Sequence, residues 1–174
     1  MQTKIFRQLT IGVLVPVLVA CSGAKISSPR RLEPLPHPVG SIAFSPSGGV
    51  MADAVGIELF SQGFTVFDTR QTSTLMLRYN LDEAEVMRPE AISTFAEEGI
   101  DALLVVRTVA GYDDQPESVT IRVISTRTGQ VIGALTWQTG HGGVRGSMLD
   151  RMKRKGMVDA ARQIGKALAR QLRR

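Results

Sequence analysis

One cysteine, Cys21, and two histidines, His37 and His141, are the only thiol and imidazole groups in 174 residues. A lone thiol excludes an internal disulfide framework and a multi-cysteine zinc site. Neither histidine stands at a metal-ligand spacing or beside a nucleophile, because His37 lies among prolines and His141 among glycines. Phosphate-cradling loops are missing as well: the stretch SPSGG at 45–49 has neither a GxGxxG pattern nor a Walker lysine, and reads as a tight turn. The net charge of +5 is too modest to argue for nucleic acid. Aromatic residues are only 5% of the chain, with a single tryptophan. These gaps leave no recognisable constellation for catalysis, and the chain is read as a non-enzyme with no metal and no cofactor.

What is present begins at the N-terminus. Lys4 and Arg7 precede a mostly apolar run from Leu9 to Ala20, the pattern of an export signal. As a helix this run covers about 18 Å, short of the ~30 Å hydrocarbon core, so a permanent transmembrane anchor is not expected. The run ends in LVAC at 18–21, which resembles a bacterial lipobox. That resemblance implies that residues 1–20 are removed, that Cys21 becomes the first mature residue, and that its sulfur carries the lipid. Ser22, in place of Asp after the cysteine, implies sorting to the outer membrane, with the folded part facing the periplasm. Each buried methylene contributes about 0.8 kcal/mol, so several acyl chains make a lasting anchor.

The following stretch, 21–39, has prolines at 29, 34, 36 and 38 and is expected to be an extended tether without packing of its own. At ~3.1 Å per residue, Ser22 to Val39 reaches roughly 55 Å. Arg30 and Arg31 read as solvated charges. A single globular domain is expected over 40–174.

Within that domain, GSIAFS reads as a strand. Val50, Ala54, Val55, Ile57, Leu59 and Phe60 form the apolar face of a helix stopped by Gly63, and FTVFD at 64–68 alternates as a second strand. Strand, helix and strand make a right-handed βαβ unit. A helical stretch from about Thr74 to Tyr79 follows, then a helix opened by Pro89 and Glu90 and stopped by Gly99. IDALLVVRTVA, ESVTIRVIST and VIGALTWQ are three strands of an antiparallel meander. Trp137 is expected to pack on the sheet, with ligand stacking as the alternative. Glu97, Glu98 and Asp101 read as a solvated acidic surface. The stretch 139–156, glycine-rich and basic, reads as a mobile loop that orders on assembly.

Charge is divided unevenly along the chain. Residues 145–174 hold ten Lys/Arg against two Asp, whereas residues 22–144 hold nine basic against 14 acidic residues. In a helix beginning near Met157, the residues Met157, Ala161, Ile164, Leu168 and Leu172 gather on one side, with Arg162, Lys166, Arg170 and Arg173 opposite. The apolar side is expected to dock on the sheet. The basic side is the candidate contact for an anionic envelope glycan or lipid, or for an acidic protein surface.

The stretches GSIAFSPSGGVMADAVGIELFSQGFTVFD, EAISTFAEEGIDALLVVRTVAG, VTIRVISTRTGQVIGALTWQ and DAARQIGKALARQL together resemble the domain shared by the curli secretion channel lipoprotein CsgG and the N-terminal domain of TolB. The resemblance implies an α/β (α+β) fold with a mixed five-stranded sheet in the order 2-1-3-4-5 and a C-terminal helix packed on it. It also implies a structural or accessory role in a cell-envelope assembly of the secretion or appendage type. Peptidoglycan-synthase activator lipoproteins resemble the same fold, so regulation of a periplasmic enzyme is the alternative. Pore formation is not carried over, because no unassigned pair of alternating segments of about 9 to 11 residues offers a membrane-spanning hairpin. The expected partners are the membrane through the lipid, envelope proteins and further copies of the chain.

Overall fold

The computed structural model describes residues 23–29, 37–86 and 88–173. The expected signal peptide, Cys21, Arg30 and Arg31 lie outside the described residues.

In chain order the elements are β1 (Lys25–Ser27), β2 (Ser41–Phe44), a 3-10 turn (Pro46–Gly48), α1 (Gly49–Ser61), β3 (Thr65–Phe67), α2 (Thr69–Arg78) and α3 (Pro89–Glu97), followed by β4 (Ala102–Ala110), β5 (Pro116–Ser125), β6 (Val131–Gln138), α4 (Met148–Lys153) and α5 (Met157–Leu172). They build one mixed sheet in the order β1-β6-β5-β4-β2-β3. β2 runs parallel to both β3 and β4, which closes the βαβ unit, and β4, β5 and β6 form the antiparallel meander. The five strands from β2 onward follow the expected succession, but the sheet has six strands, not five. The extra one, β1, lies in the stretch read as an unpacked tether. It pairs antiparallel with β6, Ile26 opposite Trp137. All three of its side chains are exposed, so main-chain pairing along an otherwise open edge is what holds it.

α1 and α5 cover one face of the sheet, where Phe44, Leu104, Ile121, Leu135 and Trp137 meet Val55, Ile164 and Leu168 in the principal core. α2 and α3 cover the other face over Ala43 and Leu103. Trp137 is fully buried and its Nε1 donates to Gln163 Oε1 at 3.1 Å, so it packs between sheet and α5 and is closed to ligand stacking. In α1 the buried side is Met51, Ala52, Val55, Gly56 and Leu59. Val50, Ile57 and Phe60, expected on the apolar face, point outward and are about two-thirds exposed (68%, 70% and 70%). The helix is apolar almost all round, so periodicity does not choose its inner face.

α2 begins at Thr69, not near Thr74. Asp68 Oδ1 accepts the Gln71 N–H at 2.7 Å and Gln71 Oε1 accepts the Asp68 N–H at 3.0 Å, a reciprocal cap that starts the helix directly after β3. Asp101 is not merely solvated: its Oδ2 accepts the N–H groups of Gly40 and Ser41 at 2.9 and 3.0 Å and fixes the start of β2. Gly63 and Gly99 take φ of 89° and 78°, the left-handed stops expected of them.

Candidate functional surface

The stretch 139–156 is organised around Asp150, not left as a mobile loop. Ser147 caps α4, its side chain accepting the Asp150 N–H at 3.2 Å. The Asp150 side chain, 1% exposed, turns back into the loop. It accepts the N–H of Gly146 at 2.9 Å, the N–H of Gly142 at 3.4 Å and the Tyr112 hydroxyl at 3.1 Å. His141 Nδ1 stands 3.9 Å from its other side. The Gly146 N–H, with Gly142, Tyr112 and the charge of Arg154 adding to it, holds the carboxyl below its ordinary value of 3.8 against the opposing effect of burial.

Arg154, directly after α4, is the second organising residue. Its side chain is 2% exposed, and its Nε lies 3.0 Å from Asp113 Oδ2 in the β4–β5 turn. The guanidinium lies 4.8 Å from the Tyr112 ring centre, and the Arg145 guanidinium lies 5.6 Å from the same ring. Arg145 also pairs with Glu117 at 2.9 Å. Gly111 makes room for this packing, since a Cβ there would sit 2.0 Å from Arg154 Nη2. Val144, Met148, Leu149 and Met152 are thereby displayed to solvent, at 62–80% exposure, on a stretch anchored from beneath. Sequence reasoning missed Asp150, Arg154 and this apolar display. The pattern Ser147-Met-Leu-Asp150 was the available signal, a Ser/Thr-x-x-acid cap ahead of a short helix.

The basic residues expected opposite the apolar side of α5 are all exposed, but they do not act as one patch. Arg162 pairs with Asp159 at 3.3 Å. Arg170 Nε donates to the Lys166 carbonyl at 3.2 Å. Arg173 reaches back to the Gln62 carbonyl and lies 5.6 Å from the Phe64 ring centre. It therefore braces α5 against the α1–β3 turn. Of the four, only Arg162 faces a carboxylate among the described residues; Lys166 and Arg170 are engaged with neither a carboxylate nor another element. Within the same limits, no group of three or more His, Cys, Asp or Glu could hold a metal, and no helix is long and apolar enough to cross a membrane. The SPSGG stretch forms the 3-10 turn, and Glu83 Oε1 takes its Ser47 N–H at 3.0 Å. A carboxylate thus already takes the Ser47 N–H of this turn.

No family model and no curated protein matches the chain. Among solved structures, the fold is shared with the PelC L103M dodecamer from Paraburkholderia phytofirmans at a TM-score of 0.50 and 16% identity, covering 86% of this chain and 98% of that one. Lipoprotein GNA1162 from Neisseria meningitidis is similar at a TM-score of 0.44 and 19% identity, over 74% of this chain and 99% of its own. The LpoB C-terminal domain from Escherichia coli is similar at 0.38 and 16%, over 61% of this chain and 87% of its own. At these identities the likeness is one of fold. The neighbours include lipoproteins, and the finer resemblance to CsgG remains a reading of the sequence.

Proposed function

We propose that this chain is a non-catalytic outer-membrane lipoprotein, held by a lipid on Cys21, that serves as a structural or accessory subunit of a cell-envelope assembly. The observation that supports this most is the anchored apolar display of Val144, Met148, Leu149 and Met152. Exposed apolar groups concentrated on an ordered segment are the mark of a contact surface. The sequence LVAC with its charged, apolar lead supports the anchor, and Ser22 supports outer-membrane sorting. PelC, which shares the fold, is a dodecamer, so a further copy of this chain is the first partner to test.

Two measurements test the proposal. Metabolic labelling with a fatty-acid analogue should mark the wild type and not Cys21→Ser; equal labelling of both refutes the anchor. A photo-crosslinking side chain at Met148 or Met152, activated in intact cells, should trap one discrete adduct. Self-adducts support a homo-oligomer, an adduct with another envelope protein supports an accessory subunit, and no adduct at either position refutes this surface as the contact. An adduct with a periplasmic synthase would favour regulation of that enzyme.

A further inference from the structure

β2 and β4 are parallel neighbours whose connections leave in opposite directions. From β2 the chain passes over one face through α1 to β3, then crosses back over the other face through α2 and α3 to β4. Open α/β sheets bind ligands at such a reversal, outside the carboxyl ends of the strands. Here β4 also outruns its neighbour: pairing with β2 ends at Leu104, while pairing with β5 continues to Ala110. The step holds a cavity of about 580 Å³, with Val86 and Val105 among its walls and Ser45, Thr108, Arg107 and Arg122 around them. That volume suits a single small ligand.

The two arginines share one face. Arg122 stands opposite Val105, and Arg107 is two residues further along β4, which makes them diagonal cross-strand neighbours, about 7 Å apart and within reach of long side chains. Both side chains are exposed, and the diagonal placement lets the two guanidinium groups converge on one anion. Carboxylates are used freely elsewhere: Arg78, Arg88, Arg127, Arg145, Arg154 and Arg162 each face one. Arg107 and Arg122 make no ion pair or side-chain hydrogen bond among the described residues. Glu83 is on the cavity wall, but its Oε1 accepts the Ser45 hydroxyl at 2.7 Å and the Ser47 N–H at 3.0 Å. Those bonds fix the carboxylate against the turn.

We infer that this cleft binds a small ligand through a carboxylate or phosphate group held between Arg107 and Arg122, with the body of the ligand against Val86 and Val105. A guanidinium fork can hold two oxygens of either anion bidentately. Among the described residues no aromatic ring lines the cavity, so a neutral sugar is offered no stacking platform there, and the charge must supply the affinity.

The test is an NMR titration of the folded protein at constant ionic strength with three probes: inorganic phosphate, glucuronate and glucose. Saturable shifts are expected at the amides of Ser45, Ser47, 105–109 and Arg122 with phosphate, glucuronate or both, and none with glucose; which anion saturates first identifies the source. Arg107→Gln with Arg122→Gln should keep the melting temperature and weaken binding by more than about tenfold. The inference is overturned if neither anion saturates, if the double variant binds as the wild type does, or if the shifts fall equally on Lys166 and Arg170.

Discussion

Asp150 and Arg154 show how far single side chains set the shape of this surface. A carboxylate that accepts two backbone N–H groups and a phenol stabilises the loop only while ionised. Its folded value is depressed, so the contribution is complete above the ordinary value of 3.8 and is lost as pH falls through the lower, folded value. The Gly142 and Gly146 amide resonances should therefore titrate with a midpoint below 3.8, and Asp150→Asn should abolish the transition and loosen 139–156 at neutral pH. A midpoint at or above the ordinary value would show that the contacts do not favour the charged form. Gly111→Ala tests the arginine. Its new methyl would collide with the buried guanidinium and break the contact to Asp113, at a cost of about 1–3 kcal/mol. Faster trypsin cleavage in 151–155 should accompany the loss of stability.

At the scale of elements, α1 and α5 lie unusually close. A Cβ on Gly165 would fall 2.6 Å from Glu58 Cβ, so the two helices meet almost backbone to side-chain stem. Gly165→Val should push them apart and cost about 1–3 kcal/mol, read as a lower denaturation midpoint with an unchanged slope. β1 makes the opposite kind of contact, with main chain and no buried side chain. A chain starting at Val39 should still fold, because the core lies almost wholly at or after that residue. It should lose about 1–3 kcal/mol for a short run of strand hydrogen bonds, and it bares the β6 edge. Concentration-dependent dimerisation of the shortened chain, absent from the longer one, would be the signature of that edge.

For the whole molecule, the charge asymmetry is real but smaller in effect than the residue count suggests. The C-terminal excess is partly spent inside the fold, on Asp113, Glu117 and the α1–β3 turn. Replacing Arg162, Lys166 and Arg170 with Gln leaves helix propensity nearly unchanged. If the remaining basic face contacts an anionic envelope surface, the triple variant should sediment less with native membranes after Cys21→Ser has removed the anchor. Raising salt should have the same effect, since exposed charges are screened beyond about 8 Å. Association indifferent to both would leave the apolar display around α4 as the contact.

The sequence alone determined the order of the elements from Ser41 to Gln138 and the place of α5, though not α4, because alternation, helical spacing and the stops at Gly63 and Gly99 are local signals. It also supplied the inner face of α5, where polar and apolar sides separate cleanly. It could not orient α1, whose residues are apolar all round and whose buried side is chosen only by the sheet and α5. The exposed three-residue strand β1 carries no pattern of its own and exists because β6 offers an edge. Asp150 and Arg154 looked like two more charges in a basic loop. Only the approach of Tyr112, Asp113 and Gly111 from the β4–β5 turn, some forty residues earlier in the chain, turned them into its framework. Arg107 and Arg122 likewise became neighbours through strand register alone. Periodicity reports what a residue does within its own element, whereas burial of a charge and pairing across strands depend on which distant segments arrive beside it.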